Sequence, residues 1–287
     1  MKLIESESEL RRELEQLGKG EHRVGLVPTM GCLHEGHLSL IRKARQQNDI
    51  VVVSVFVNPT QFGPGEDYAS YPRTLENDCV LAESAGADIV FHPDAAEIYS
   101  PDASTKVEVE GEITHTLCGA SRPIHFKGVT TIVSILFNIV RPDRAYFGQK
   151  DAQQAVVIRK MVRELHIPVE IVVCPIVREA DGLALSSRNR YLNSEERRQA
   201  VCLYRGLDAA ASFLSSGAEG GTDPERLKQV ICEEIDKSPL AKREYIEIVD
   251  AETLKPLRHI EKGHPALAAV AVRFGETRLI DNIILRS

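Results

Sequence analysis

What this 287-residue chain lacks narrows it quickly. It has no Cys-x-x-Cys pair: Cys32, Cys79, Cys118, Cys174, Cys202 and Cys232 are scattered, and none sits with histidine at zinc spacing. A chain this long needs no disulfide framework, so reduced thiols are expected. No apolar run approaches membrane-spanning length, and Met1-Lys2-Leu3-Ile4-Glu5-Ser6 has no signal-peptide character, so cytoplasmic residence is the expectation. Positive charge is not in excess. The net charge is −7, which argues against general affinity for nucleic acid while leaving room for a local basic pocket. Internal repeats and low-complexity segments are missing too. What remains, 43% hydrophobic and 27% charged, is ordinary globular material for one large domain or two smaller ones.

Hydrophobic patterning divides the chain. Leu10, Leu14 and Leu17 recur at helical spacing, with Ser6 or Ser8 as caps. Strands are predicted at 23–27, 50–57, 88–91, 144–147 and 169–173, with a short one at 106–109. Helices are predicted at 38–47, 73–85, 128–140 and 151–166. The run over 50–57 is β-branched with almost no alternation, which suits a parallel strand covered on both faces. Strands alternating with helices predict an α/β fold, a Rossmann-like doubly wound parallel sheet, over residues 1–176. After Pro175 the texture changes. A polar connector is followed by predicted helices at 194–214 and 224–235 and strands at 245–249, 267–274 and 278–283. Residues 177–287 therefore read as a smaller C-terminal α+β lid domain.

The densest chemistry lies in Pro28-Thr29-Met30-Gly31-Cys32-Leu33-His34-Glu35-Gly36-His37. Two imidazoles stand where a strand turns into a helix, and backbone N–H groups at a helix N-terminus favour anions. Gly31 and Gly36 have the spacing that opens a P-loop, but His37-Leu38 follows where Lys-Ser/Thr is required, so that reading fails. His-x-Gly-His remains, as in nucleotidyltransferases and class I aminoacyl-tRNA synthetases. Cys32 lies inside the loop, so its oxidation is expected to inhibit.

Other polar clusters follow other strands, where open parallel sheets bind ligands. They are Asn58 and Gln61 after the second strand and Gly148-Gln149-Lys150-Asp151, then Gln153 and Gln154, after a later one. Alone, Asn58-Pro59 reads as a turn and Asp151 as a helix cap. Gln61 and Gln154 both donate and accept, which suits a ligand with hydroxyl and carboxylate groups. Leu185-Ser186-Ser187-Arg188-Asn189 offers two hydroxyls and a guanidinium as an anion clamp on the connector, or else a solvated turn.

Taken together these stretches resemble the pantoate–β-alanine ligase (AMP-forming) family. Further matching stretches are Phe56-Val57-Asn58-Pro59-Thr60-Gln61-Phe62, Tyr71-Pro72-Arg73-Thr74, Ser121-Arg122-Pro123-Ile124-His125-Phe126, Phe147 through Gln154, Asp181 through Asn189, and Leu279-Ile280-Asp281-Asn282. The resemblance implies the fold of the His-x-Gly-His nucleotidyltransferases and an ATP-dependent condensation of (R)-pantoate with β-alanine through pantoyl adenylate, releasing AMP and diphosphate. It implies ATP contacts from Met30, Gly31, Cys32, Leu33, His34, Glu35, Gly36 and His37, from Gly148, Gln149, Lys150 and Asp151, and from Val177, Leu185, Ser186, Ser187 and Arg188. His37, His34, Lys150 and Arg188 carry the catalytic expectation, and Gln61, Gln154 and Asn58 the substrate contacts. Mg²⁺ is expected with ATP, held mainly by phosphates and waters with no protein metal centre, and Asp78 is a candidate supporting carboxylate. A homodimer is also implied, with no nucleic acid or membrane partner. Gln149, Thr60 and Lys127 stand where many members carry Glu, Met or Arg. A different nucleotidyltransferase, acting on a phosphate acceptor, would call for Lys or Arg near 58–61, and there is none.

Overall fold

The alternation of apolar and amphipathic segments becomes a parallel sheet with helical crossovers in the computed structural model, which describes residues 1–217 and 222–286. The chain divides into two units. One comprises Met1–Glu110, Arg122–Gln149 and Val157–Pro175, and the other Gly111–Ser121, Lys150–Val156 and Ile176–Ser287. The expected cut after residue 176 runs along the chain. In space, residues 111–121 and 150–156 group with the second unit. The reason is local: the buried Gln153 amide accepts from Cys118 N–H at 2.9 Å and donates to the carbonyls of Ile113 and Thr116. Of the expected 177–287 domain, residues 218–221 and 287 lie outside the described residues.

The first unit contains β1 (Lys2–Ile4), α1 (Glu7–Gln16), β2 (Val24–Thr29), α2 (Glu35–Gln47), β3 (Ile50–Val55), α3 (Leu75–Ser84), β4 (Ile89–Phe91) and α4 (Ala95–Ile98). The short α5 (Glu112–His115) and α6 (Leu117–Ser121) belong to the second unit, after which come α7 (His125–Val140), β5 (Arg144–Gly148), α8 (Ala152–Glu164), whose residues 152–156 group with the second unit, and β6 (Glu170–Cys174). The six strands run parallel in the order β1-β4-β3-β2-β5-β6. From β2 the chain winds outward through β3 to β4, then returns to lay β5 on the other side of β2. The pair β2–β5 is thus the switch point, where ligands of open α/β sheets bind at the carboxyl ends of the strands. Every residue of β3 is buried, as its β-branched run requires of a strand covered on both faces. Val51, Val53 and Val55 pack with Ile41, Ala44, Ala82 and Val90.

The second unit is α+β. Its helices α9 (Ser194–Ala200), α10 (Cys202–Ser215) and α11 (Pro224–Ile235) accompany an antiparallel sheet of β7 (Ala241–Asp250), β8 (Ala266–Phe274) and β9 (Thr277–Leu285). Leu203, Leu207, Leu227 and Ile231 from the helices share one apolar cluster with Ala268, Val270 and Val272 of β8. Gly206 lets α10 and α11 close up: a Cβ there would meet Ile231 Cγ2 at 3.1 Å.

Several expectations need correction. Residues 106–109 form no strand; the Val107 backbone bonds instead to the hydroxyls of Thr130 and Thr131 on α7. The helix predicted over 194–214 is two, interrupted at Val201, whose N–H reaches the Gln199 carbonyl. Helix α7 starts three residues earlier than predicted, at His125. The edge strand β1, paired with β4, is an addition to the predicted set. Ser6 is the cap of α1, accepting from Glu9 N–H at 3.3 Å. Among the described residues no helix is long and apolar enough to cross a membrane.

Candidate functional site

The loop that leaves β2 is held by its own backbone. Thr29 donates its hydroxyl to the Ser54 carbonyl at 2.7 Å and accepts from Gly31 N–H at 3.1 Å. Gly31 and Cys32 both adopt positive φ, 82° and 51°. This is strained for Cys32, so something must hold it there. That something is Asp78 of α3, fully buried, which accepts from Cys32 N–H at 3.0 Å, Leu33 N–H at 2.7 Å and the Thr74 hydroxyl at 3.2 Å. The sequence offers Asp78 as a candidate carboxylate for Mg²⁺; the structure commits both its oxygens to the loop. Among the described residues no group of three or more His, Cys, Asp or Glu is arranged to hold a metal ion.

The two histidines cap helix α2 reciprocally. His34 Nδ1 accepts from Gly36 N–H at 3.2 Å, and His37 Nδ1 accepts from His34 N–H at 3.4 Å. Their ring centroids lie 4.1 Å apart. An Nδ1 that accepts a backbone N–H leaves the ring proton on Nε2. Both rings therefore lie, in the Nε2-protonated form, at the N-terminus of a 13-residue helix, where the helix dipole favours anions. Glu35 turns outward to an ion pair with Arg42, which holds its carboxyl below the usual range. Cys32 is only 4% exposed.

Beyond β3, Asn58 caps a 3₁₀ turn, Pro59–Gln61. Its amide donates to Gly128 carbonyl and to Gln61 Oε1, both at 3.1 Å. Gln61 in turn donates to Met30 Sδ at 2.9 Å, which ties this turn to the histidine loop. Helix α7 supports the turn from beneath, since a Cβ on Gly128 would stand 2.4 Å from Thr60 O and 2.5 Å from Gln61 Cα. His125 and Arg122 both donate to the Gln61 carbonyl, and Arg122 also pairs with Glu66 at 2.6 Å. The first unit thus brings together Met30, the His34–His37 pair, Asn58 and Gln61. Gly148 ends β5, the strand beside β2, and Gln149 follows it.

The second unit holds the remaining predicted residues. Lys150 lies 3.8 Å from the Asp151 carboxylate, and its carbonyl accepts from Asn282 at 2.9 Å. Gln153 is buried as an anchor, whereas Gln154 on the next position is half-buried. Val177 and Leu185 face each other across a hairpin, Leu185 N–H to Val177 O at 3.0 Å, turned at Gly182 with φ 99°. The hairpin is pinned by Arg178, which forks onto the buried Asp281 at 2.6 and 3.0 Å and stacks 4.4 Å over the Tyr204 ring. Arg197 grips Glu179 and Asp181, both at 2.8 Å, and holds the Asp181 carboxyl below its usual range. From this base the chain enters a 3₁₀ turn, Ser187–Tyr191, in which Ser186 Oγ accepts from Arg188 N–H at 3.3 Å. One of the two expected clamp hydroxyls is therefore a cap. Sequence reasoning names Asp78 for Mg²⁺ rather than for the loop it holds, and misses Gln153, Arg178 and Asp281 as supports. Only the Thr74-x-x-x-Asp78 spacing hints at any of these four roles, because the partners lie far away in sequence.

A doubly wound parallel sheet with a helix-capping histidine pair at its switch point, joined to a smaller α+β unit, defines the class: nucleotide-binding α/β proteins of the His-x-Gly-His kind. A family model described as pantoate-beta-alanine ligase matches residues 2–284, and the chain belongs to that family. It is 52% identical to the pantothenate synthetase of Thermotoga petrophila over 285 residues, covering 99% of this chain and 100% of that one. Among solved structures, a pantothenate synthetase from Thermus thermophilus superposes with a TM-score of 0.93 at 48% identity over 100% of both chains. The pantoate-beta-alanine ligase of Francisella tularensis, complexed with beta-gamma ATP and beta-alanine, gives 0.80 at 34% identity, covering 99% of this chain and 97% of that one.

Proposed function

We propose that this chain condenses (R)-pantoate with β-alanine at the expense of ATP. A pantoate carboxylate oxygen attacks the α-phosphorus, the bond to diphosphate breaks, and pantoyl adenylate remains bound. The β-alanine amine then attacks the acyl carbonyl, loses a proton, and expels AMP to leave pantothenate. Both steps build negative charge on phosphate oxygens, so catalysis calls for fixed donors and positioning rather than a covalent nucleophile.

The observation that supports this reading is the reciprocal cap of His34 and His37, which sets both rings at a helix N-terminus that follows β2, a strand of the switch point. His37 and His34 are assigned to the phosphate oxygens, with Met30, Gly31, Cys32, Leu33, Glu35 and Gly36 lining the nucleotide, and Gly148, Gln149 and Asp151 holding it. Lys150 and Arg188 supply positive charge, with Val177, Leu185, Ser186 and Ser187 as further ATP contacts. Gln61 and Gln154 are assigned to pantoate, and Asn58 acts by orienting Gln61. Mg²⁺ enters with the triphosphate, as substrate. The protein is assigned to the cytoplasm and to a homodimer.

The test is direct. Protein, ATP, Mg²⁺, pantoate and β-alanine should yield AMP and pantothenate in equal amounts. ADP as the product, or label from radioactive pantoate fixed covalently to the chain, would overturn the mechanism.

A further inference from the structure

The orientation of the Asn58 amide is fixed by two partners that have no choice of role. The Thr60 backbone N–H, 3.4 Å from Oδ1, can only donate. The Gly128 carbonyl, 3.1 Å from Nδ2, can only accept. Oδ1 also accepts from Thr60 Oγ1 at 2.9 Å and from the Tyr99 hydroxyl at 2.7 Å, the shortest of its contacts. The second Nδ2 hydrogen goes to Gln61 at 3.1 Å, so the Gln61 atom there must be oxygen. Gln61 Nε2 is left 2.9 Å from Met30 Sδ, a weak acceptor. A glutamine in isolation could present either end of its amide. This one has its oxygen engaged and presents N–H.

We propose that Tyr99 is a positioning residue for the acid substrate: its hydroxyl, the shortest contact on Asn58 Oδ1, reinforces the orientation that the Thr60 N–H and the Gly128 carbonyl set, and so holds Gln61, through Asn58, as a hydrogen-bond donor. The site thereby selects a carboxylate or hydroxyl oxygen that accepts, and an N–H···O bond to that oxygen is stronger than the N–H···S contact it replaces. Tyr99 reaches the substrate only through Asn58 and Gln61. The proposal rests on the ligase reading for the identity of the acid, pantoate. The geometry of the relay lies wholly within the first unit.

Steady-state kinetics of Tyr99→Phe, which removes one hydroxyl, test this. The pantoate KM should rise roughly three- to tenfold, the worth of one hydrogen bond, with the ATP KM within about twofold of wild type. Thr60→Val, which removes the other hydroxyl on Oδ1, should move the pantoate KM the same way. In a Gln61→Ala background Tyr99→Phe should have no further effect, because the relay then has nothing to orient. An unmoved pantoate KM, an equal rise in the ATP KM, or effects that multiply independently of Gln61 would overturn the relay while leaving the ligase reading intact. A wild-type protein that forms no pantothenate would overturn the ligase reading, and with it the ligand assigned to the relay.

Discussion

The carboxylate of Asp78 accepts the backbone N–H of Leu33 at 2.7 Å. Helix α3 thus fixes the loop one residue before the first histidine of the pair. The loop's shape depends on a side chain 45 positions away in the chain, which explains how Cys32 is kept at positive φ.

Asp78→Ala should leave two buried N–H groups without acceptors, at a cost of about 2–5 kcal/mol. Asp78→Asn retains one carbonyl oxygen and should cost less. Urea unfolding followed by circular dichroism would measure both. An Asp78→Ala protein as stable as wild type would mean that the loop is held elsewhere.

His37→Ala combines two losses. Removing a transition-state donor should lower kcat by on the order of a hundredfold. Removing half of the reciprocal cap on α2 should cost about 1 kcal/mol of stability. The melting temperature therefore falls by a few degrees while activity nearly vanishes, and an unchanged turnover would remove His37 from the mechanism.

Gly128→Ala tests the support beneath Gln61. The added methyl would stand 2.4 Å from Thr60 O, so the 59–61 turn must move. Overpacking of this kind costs about 1–3 kcal/mol, and the pantoate KM should rise well before the ATP KM does. Equal effects on both substrates would show that the turn does not belong to the acid's site.

Glu66 gives a pH signature. Burial alone would raise its carboxyl, but the hydrogen bonds and charge of Arg122 outweigh that and hold it below the ordinary range. A depressed folded-state value stabilises the protein above the unfolded pKa of about 4.3 and loses that contribution as pH falls through the folded value. Arg122→Met should lower stability at pH 7 and flatten its decline below about pH 4.3. Unfolding free energies across an acidic pH series would decide it. A decline as steep as that of wild type would show that Glu66 does not carry this linkage.

Much of the first unit is legible in the sequence because its strands obey one rule. The 50–57 run can hardly be anything but a buried parallel strand, and β3 lies inside it. Strand β1 escapes because three residues at an edge carry no periodicity. The 106–109 segment looks like a strand because Val107 and Val109 alternate with charge, yet its backbone is satisfied by threonine hydroxyls of a helix. At the site, the histidine pair can be read from spacing. The inner supports cannot: Asp78, Gln153 and Asp281 are carboxylates or amides whose meaning comes from backbone groups or an arginine brought to them only by folding. Even for Gln61 the residue type alone permits both polarities, and Asn58 chooses one.

The neighbour of Asn58 has a chemical consequence of its own. Spontaneous ageing of asparagine proceeds mainly when the next residue's amide nitrogen closes on the side-chain carbonyl to form a succinimide. That nitrogen here belongs to Pro59, which carries no hydrogen to give up. The residue on which the Gln61 orientation turns is therefore shielded from the commonest covalent lesion of its type, and long-stored protein should keep this amide while more exposed asparagines convert.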